Sequence, residues 1–403
     1  MLNEEMIKAL SGLGYQYGRE VGVGGQGSVH HVRTSNGESQ AIKVKHFALC
    51  PDVFDLSRSM IHLKRLDYHS GGRITYSDGI TDGEATLTPQ QLFFLQRDIS
   101  ERTGLIGAQG TANVLKFLKH YFFKQGHSFG SIISTEYLEG KSLSHSFKSG
   151  DELDPGIRNL IIHNMGVTLK SILNKGIIHG DLKPGNVFLG DDNSVKLLDF
   201  GSARLLRGYN FMEGTPEDVP ILLEERLNSL ASTPGFCSPE AARSEGLLYS
   251  PQSEYFAYGV LAVATLSDGK SPFVNHDFEN PLSIAIRISE YSDSSWDEHI
   301  EPKLNNCPTD LKEAIKMAMR PNSKERQIDP LIEVSGEYAY GHLSHSNSKL
   351  VSTISDIRVP RLYEATEVEK FERKLGGVAL SCALMGAAAL YGPSVVDLVN
   401  KWF

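Results

Sequence analysis

Apolar residues recur at helical spacing at the start of the chain. Leu2, Met6, Leu10 and Leu13 share one face and predict a short amphipathic helix over residues 1–14, ended by glycine. The period then becomes that of strands, at Ser28–Val32 and Gln40–Val44, with the turn Thr34-Ser35-Asn36-Gly37 between them. From His46 to Leu87 the chain is polar and turn-rich and reads as an insertion. Thr88-Pro89 opens a helix, with proline at the first helical position and Leu92, Leu95, Ile99 and Arg102 on one face. Asn113–Phe117 and Ile132–Thr135 predict the next two strands. Asp154-Pro155 to Asn174 is helical in period, and Lys175-Gly176 supplies the stop. Short apolar runs at Ile177-Ile178, Val187–Leu189 and Val195–Leu198 read as buried strands, with the polar residues between them forming a loop. Tyr209–Ala231 is irregular, with a helical patch near Ile221–Leu230, and Glu254–Leu261 predicts a strongly apolar helix.

The C-terminal part differs in composition. Ser335–Ser355, rich in Ser, Gly and His, reads as a linker or irregular segment. Tyr363–Lys374 is charged and helical in pattern, and residues 376–391 are apolar almost throughout. As a helix this run is about 25 Å long at ~1.5 Å per residue, short of the ~30 Å bilayer core. Lys370, Arg373 and Lys374 on its N-terminal side suit a cytoplasmic flank. Two readings of residues 376–391 stand: a membrane anchor, and a small-residue helix packed on the domain or on a partner. The expected organisation is an N-terminal segment 1–14, a main domain 15–334, a linker 335–362 and a helical tail 363–403.

With 403 residues, 40% hydrophobic and 22% charged, the chain is long enough for two or three domains with sizeable cores. A net charge of −9 argues against a nucleic-acid partner held by a basic surface. Cys50, Cys237, Cys307 and Cys382 lie far apart and form no CxxC pair, which fits a reducing compartment and indicates neither a disulfide framework nor a zinc site. Met1–Leu10 carries Glu4, Glu5 and Lys8 and lacks the apolar core of a secretory signal. The expected location is cytoplasmic, with membrane contact through the C-terminal apolar segment as the alternative. Oligomeric state is not legible in the sequence.

Three stretches carry chemistry. In Gly22-Val23-Gly24-Gly25-Gln26-Gly27, glycines let backbone N–H groups approach phosphate oxygens, because no Cβ intervenes. A dinucleotide-binding turn would require a helix next, and here a strand follows. Lys43 lies mid-strand between Ile42 and Val44. Further on, Ile178-His179-Gly180-Asp181-Leu182-Lys183-Pro184-Gly185-Asn186 and Leu198-Asp199-Phe200-Gly201 set two carboxylates, an amide and a lysine among apolar runs. Phosphoryl transfer uses such a set: a carboxylate facing the attacking hydroxyl, oxygen ligands for phosphate-bound Mg²⁺, and a cation for the moving charge.

Together these stretches resemble the glycine loop, phosphate-gripping lysine, catalytic loop and metal-binding loop of the eukaryotic-type (Hanks-type) Ser/Thr protein kinases. Thr233-Pro234-Gly235-Phe236-Cys237-Ser238-Pro239-Glu240 is similar to that family's substrate-docking segment, with Ser238 in place of Ala, and Arg326 to the arginine that pairs with its closing glutamate. The resemblance covers residues 15 to 330 and implies an α+β, bilobal fold. It comprises a β-rich N-lobe (15–135), a hinge (136–140) and a mostly helical C-lobe (141–334).

The resemblance further implies ATP and Mg²⁺ (or Mn²⁺) as cofactors and a protein substrate. By it, Gly22, Gly24, Gly25, Gly27, Val29, Ala41, Lys43, Thr135 as gatekeeper, Glu136, Leu138 and Phe188 would surround the nucleotide. Glu101 would pair with Lys43, with Asp98 as the other candidate. Asp181 would orient the hydroxyl proton, Lys183 would reach the transferred phosphate, and Asn186 and Asp199 would hold the metal.

Two positions depart from the family pattern. Gly180 stands where an Arg usually pairs with a phosphorylated activation segment, which implies activity independent of phosphorylation in residues 202–232. Glu254 stands where an Asp braces the catalytic loop, and its extra methylene needs room. The rival readings are a small-molecule phosphotransferase of the same fold, which usually lacks Lys183 and the docking segment, and a pseudokinase acting through partner binding.

Overall fold

The computed structural model describes residues 2, 4–24, 27–46, 60–69, 73–125, 128–205, 233–243, 250–267, 269–275 and 279–346. The readings made for Tyr209–Ala231 and for the tail beyond residue 346 lie outside the described residues. The chain divides into two compact units. Among the described residues, the first is built on those up to 109 and on 115–139, the second on 110–114 and on those from 140 onward.

The first unit contains α1 (Glu4–Gly12), β1 (Tyr15–Gly24), β2 (Gly27–Thr34), β3 (Ser39–His46), β4 (Met60–Leu63), β5 (Arg65–His69), β6 (Arg73–Ser77), β7 (Asp82–Thr86), α2 (Pro89–Gly107), β8 (Phe117–Gln125) and β9 (Ser128–Glu136). Among the described residues the main sheet runs β1-β2-β3-β9-β8-β4, and β5-β6-β7 form a separate meander. Side chains alternate across a strand, so β3 sends Ile42 and Val44 to one face and Lys43 and Lys45 to the other. Ile42 and Val44 share a core with Val32, Phe123, Ile132, and Met6 and Leu10 of α1. The N-terminal helix is therefore part of this unit's core and not a separate segment.

The insertion is ordered where it is described. β4 extends the main sheet by pairing with β8, and Leu63, Leu66, Ile74 and Leu87 pack with Leu95 and Ile99 of α2 and with Phe129. In β5 and β6 a single buried apolar residue, Leu66 or Ile74, lies among polar neighbours, so average polarity conceals the strands. Helix α2 begins where expected: Thr88 and Gln91 form a capping box, each side chain bonding the other's backbone N–H.

The strand expected at Asn113–Phe117 is corrected, because β8 starts only at Phe117. Asn113 has φ 61°, its carbonyl accepts the Leu197 N–H at 2.7 Å, and buried Val114 makes a single bridge to Leu197. Residues 110–114 thus belong to the second unit. Of these only Val114 is buried, and it packs inward instead of extending a sheet ladder.

The second unit contains β10 (Gly140–Ser142), α3 (Leu143–Lys148), α4 (Pro155–Asn174), β11 (Ile177–Ile178), β12 (Val187–Gly190), β13 (Val195–Leu197), β14 (Arg204–Leu205), α5 (Pro239–Ala242), α6 (Pro251–Leu266), α7 (Pro281–Ser289), α8 (Asp293–Ser295), α9 (Thr309–Ala318) and α10 (Asp329–Ser346). Asp154 caps α4, accepting the Gly156 N–H at 2.7 Å. Helix α6 is apolar around nearly its whole circumference because it is buried, from Phe256 through Thr265. The division into a sheet-rich and a helical unit is the expected α+β class.

The linker reading at Ser335 is also corrected: α10 continues to Ser346. Its small residues serve packing. Ser335 and Ala339 are buried, the Ser335 hydroxyl donates to the Leu331 carbonyl at 2.6 Å, and a side chain at Gly336 would meet the His163 ring of α4.

Candidate active site

In the first unit the β1–β2 hairpin closes with Gly24 opposite Gly27, and Gly22 lies opposite Val29 after a shift of register. Gly25 lies outside the described residues. Gly27 has φ 146°, and a Cβ there would collide with the Val44 carbonyl, so this position demands glycine. Val29 in turn pairs with Lys43, and Ala41 with Thr135, which is buried on β9. Glu136 ends that strand, its N–H donating to the Lys116 carbonyl at 3.0 Å. Leu138 follows, half-buried.

Lys43 Nζ lies 2.9 and 3.1 Å from the two carboxylate oxygens of Glu101. Lys45, two residues along the same strand face, also donates to Glu101 and lies 3.4 Å from Asp98. Asp98, the other candidate partner for Lys43, is held by His120 at 2.6 Å and by the Ser131 hydroxyl at 2.5 Å. Burial opposes charge on Asp98, but His120 and Lys45 outweigh it and hold this carboxyl below the usual carboxylate range. Sequence reasoning does not single out Lys45 or His120. The available signal is the alternation Ile42-Lys43-Val44-Lys45, which puts both lysines on one face.

In the second unit Asp181 is buried and engaged through both carboxylate oxygens. Oδ2 lies 2.7 Å from Lys183 Nζ and 3.2 Å from Asn186 Nδ2. Oδ1 accepts from the Thr233 N–H at 3.0 Å and the Thr233 hydroxyl at 2.8 Å. Lys183 also donates to the Thr233 hydroxyl at 2.6 Å, and Asn186 Nδ2 to the Asp181 carbonyl at 2.8 Å. Thr233 thus joins the Asp181 carboxylate to Lys183.

His179 links two loops. Its Nδ1 accepts the Asp181 N–H at 3.3 Å, so Nε2 carries the proton and donates to the Leu198 carbonyl at 2.9 Å. Burial lowers its pKa, which keeps the ring neutral. The Leu198 N–H donates to the Asn186 carbonyl at 2.8 Å, so the stretch holding Asp181 and Asn186 is tied to the one holding Asp199. Phe188 is half-buried on β12, opposite Ser142 and Lys196.

Glu254 reaches the loop that carries Asp181 in spite of its extra methylene: Oε1 accepts the Gly180 N–H at 2.8 Å. Its Oε2 is buried without a hydrogen-bond partner. Burial raises this carboxyl to about 7, the backbone bonds oppose the rise, and the Asp181 charge adds to it. A cavity of about 20 Å³, lined by Gly180, Asp181, Thr233, Ser253 and Glu254 among others, lies beside it. Glu240 and Arg326 form a buried two-point pair at 2.6 and 2.9 Å, and the Ser253 hydroxyl donates to Glu240 at 3.1 Å.

The donors fit a hard divalent cation. Asn186 spends its amide nitrogen on Asp181, so its amide oxygen would be the atom to meet a cation, and Asp199 would add a carboxylate. Asp199 sits at φ 54°, a region that non-glycine residues rarely adopt, and its Oδ1 accepts the Gly201 N–H at 3.2 Å. Among the described residues no group of three or more His, Cys, Asp or Glu forms a metal cage. Mg²⁺ at nucleotide sites is held by one or two protein groups together with substrate phosphates, which suits this small set.

The chain is similar to several Ser/Thr protein kinases. It is 33% identical to serine/threonine-protein kinase pkn2 of Myxococcus xanthus over 234 residues, 56% of this chain and 26% of that one. It is 23% identical to ribosomal protein S6 kinase alpha-1 of Homo sapiens over 264 residues, 64% of this chain and 33% of that one. To a G-type lectin S-receptor-like serine/threonine-protein kinase of Arabidopsis thaliana it is 29% identical over 141 residues, 35% of this chain and 15% of that one. The chain therefore spans about a third or less of the length of these curated relatives. The family described as Protein kinase domain matches residues 100–328, from the residue before Glu101 to the segment just past Arg326. The chain belongs to the protein kinase domain family.

Proposed function

We propose that this chain is an ATP- and Mg²⁺-dependent kinase that transfers the γ-phosphoryl group to Ser or Thr hydroxyls of protein substrates. The observation carrying this reading is Asp181, whose carboxylate is buried, oriented by Thr233 and Asn186, and charge-balanced by Lys183. A carboxylate held in this way is suited to accept the proton of an incoming hydroxyl. Lys183, shared between Asp181 and Thr233, stabilises negative charge moving toward the acceptor. Asn186 and Asp199 hold the cation, which when bound neutralises phosphate charge. Lys43, oriented by Glu101, grips phosphate oxygens, and the glycines of the β1–β2 hairpin allow backbone N–H groups to approach them. Mn²⁺ suits the same oxygen ligands.

The Ser/Thr preference is supported by Lys183 and Thr233 acting as one unit, and by relatives that are Ser/Thr kinases by name. Gly180 places no cation before Asp181, which supports turnover without activation-segment phosphorylation. The kinase domain extends from α1 through α10, which widens the 15–334 span at both ends. The test is incubation with labelled ATP and Mg²⁺, with and without a generic protein substrate, beside Asp181→Ala. Label on Ser or Thr of protein, absent in the variant, is expected. Label confined to small hydroxyl compounds overturns the protein-substrate reading, and nucleotide binding with no label above the variant indicates a binding module.

A further inference from the structure

Two lysines converge on one glutamate in the first unit, and their surroundings differ. The Lys43 side chain is 20% exposed, whereas that of Lys45 is 5% exposed and faces Asp98, which is fully buried. Lys45 donates to Glu101 and lies 3.4 Å from Asp98. His120 of β8 and Ser131 of β9 fix Asp98 from the other side. The cluster therefore ties β3, β8 and β9 to α2, the helix that carries both carboxylates.

Charge balance gives the two lysines separate roles. Buried carboxylates need a cation each, and removing one partner of a buried pair is costly. Lys43 has to serve Glu101 and phosphate oxygens together, so its charge is shared and does not by itself offset a buried glutamate. Lys45 supplies a second cation, bonded to Glu101 and 3.4 Å from Asp98.

We infer that Lys45 is the positioning residue that holds α2 to the sheet and keeps Glu101 in place to orient Lys43. The inference rests on the kinase reading for its catalytic consequence and on the first unit's geometry alone for its structural one.

The test compares Lys45→Met, Lys43→Met, Glu101→Gln and the double variant Lys45→Met/Glu101→Gln. Amide hydrogen exchange in residues 95–105 reads the hold on α2. Lys45→Met is expected to speed it about 10-fold or more, and Lys43→Met by less than about 2-fold. Equal acceleration in both variants, or none in Lys45→Met, overturns the inference. If Lys45→Met does not fold, Asp98→Asn removes the charge that anchors Lys45 with little change of shape, and α2 exchange unchanged in it has the same overturning force.

In turnover, Lys45→Met should lower kcat/KM for ATP about 10-fold or more, and the double variant should match Glu101→Gln within about 2-fold. Losses that multiply show that Lys45 does not act through Glu101. A wild type with no label above Asp181→Ala overturns the kinase reading alone, and the exchange comparison then decides on Lys45.

Discussion

Glu254 combines a burial cost with a structural duty, which makes its pH behaviour informative. Its carboxyl is raised from 4.5 to about 7 by burial while Oε1 accepts the Gly180 N–H. A folded-state value above the unfolded one means the native state binds the proton more tightly. This contribution to stability is full below pH ~4.5 and is lost as pH rises through ~7, amounting to about 3 kcal/mol. Glu254→Gln keeps the acceptor oxygen and removes the titration. Compared by melting at pH 5 and pH 8, the variant should gain on wild type as pH rises, and a difference independent of pH would contradict this account. The Glu240–Arg326 pair is the opposite case, in which two charges satisfy each other in a buried site. Glu240→Gln, which leaves the Arg326 guanidinium buried without its counter-charge, should cost about 3–5 kcal/mol in urea unfolding. A loss below about 1 kcal/mol would show that the pair is relaxed or hydrated.

Helix α2 is held from both directions: its polar residues meet the main sheet, and its apolar residues meet the insertion. Leu95 and Ile99 lie in one core with Leu66 and Ile74 of the β5–β6 hairpin. The meander is thus a structural support for the helix that carries Glu101. Ile74→Ala should destabilise the protein by about 2–5 kcal/mol, as for a buried aliphatic residue, with Ile80→Ala at the exposed β6–β7 turn near zero. Equal small effects at both positions would mean that the meander is a detachable appendage.

For the whole molecule, regulation is the open consequence of the catalytic loop. Gly180 carries no side chain to engage a phosphate, and its N–H is committed to Glu254. Under the proposed function, control by a phosphorylated segment would therefore lack an anchor at this position. Phosphatase treatment, and alanine or glutamate at each Ser, Thr and Tyr of residues 202–232, should leave turnover within about 2-fold. A large loss from alanine at one site would place the switch there. Turnover unchanged at every such site would put control on surfaces outside that segment.

The resemblance carried by the motifs implied the α+β class, and the residues alone placed the start of α2, both ends of α4 and the polar set at residues 179–201. Local rules specify the last three: a proline at the first helical position, a glycine stop, and loop residues set between short apolar strands. Only the tertiary structure decided which charges share a site. Lys45, Asp98 and His120 are ordinary polar residues until β3, β8, β9 and α2 bring them together, because electrostatic coupling depends on distance and burial, which no local pattern encodes. The same limit hid the strands of the insertion, the helix beyond Ser335 and the role of residues 110–114. In each, a few apolar or small side chains find their partners far along the chain. The meaning of Glu254 was left open for the same reason. Its extra methylene was visible in the sequence, but the space that admits it and the burial that raises its pKa exist only in the fold.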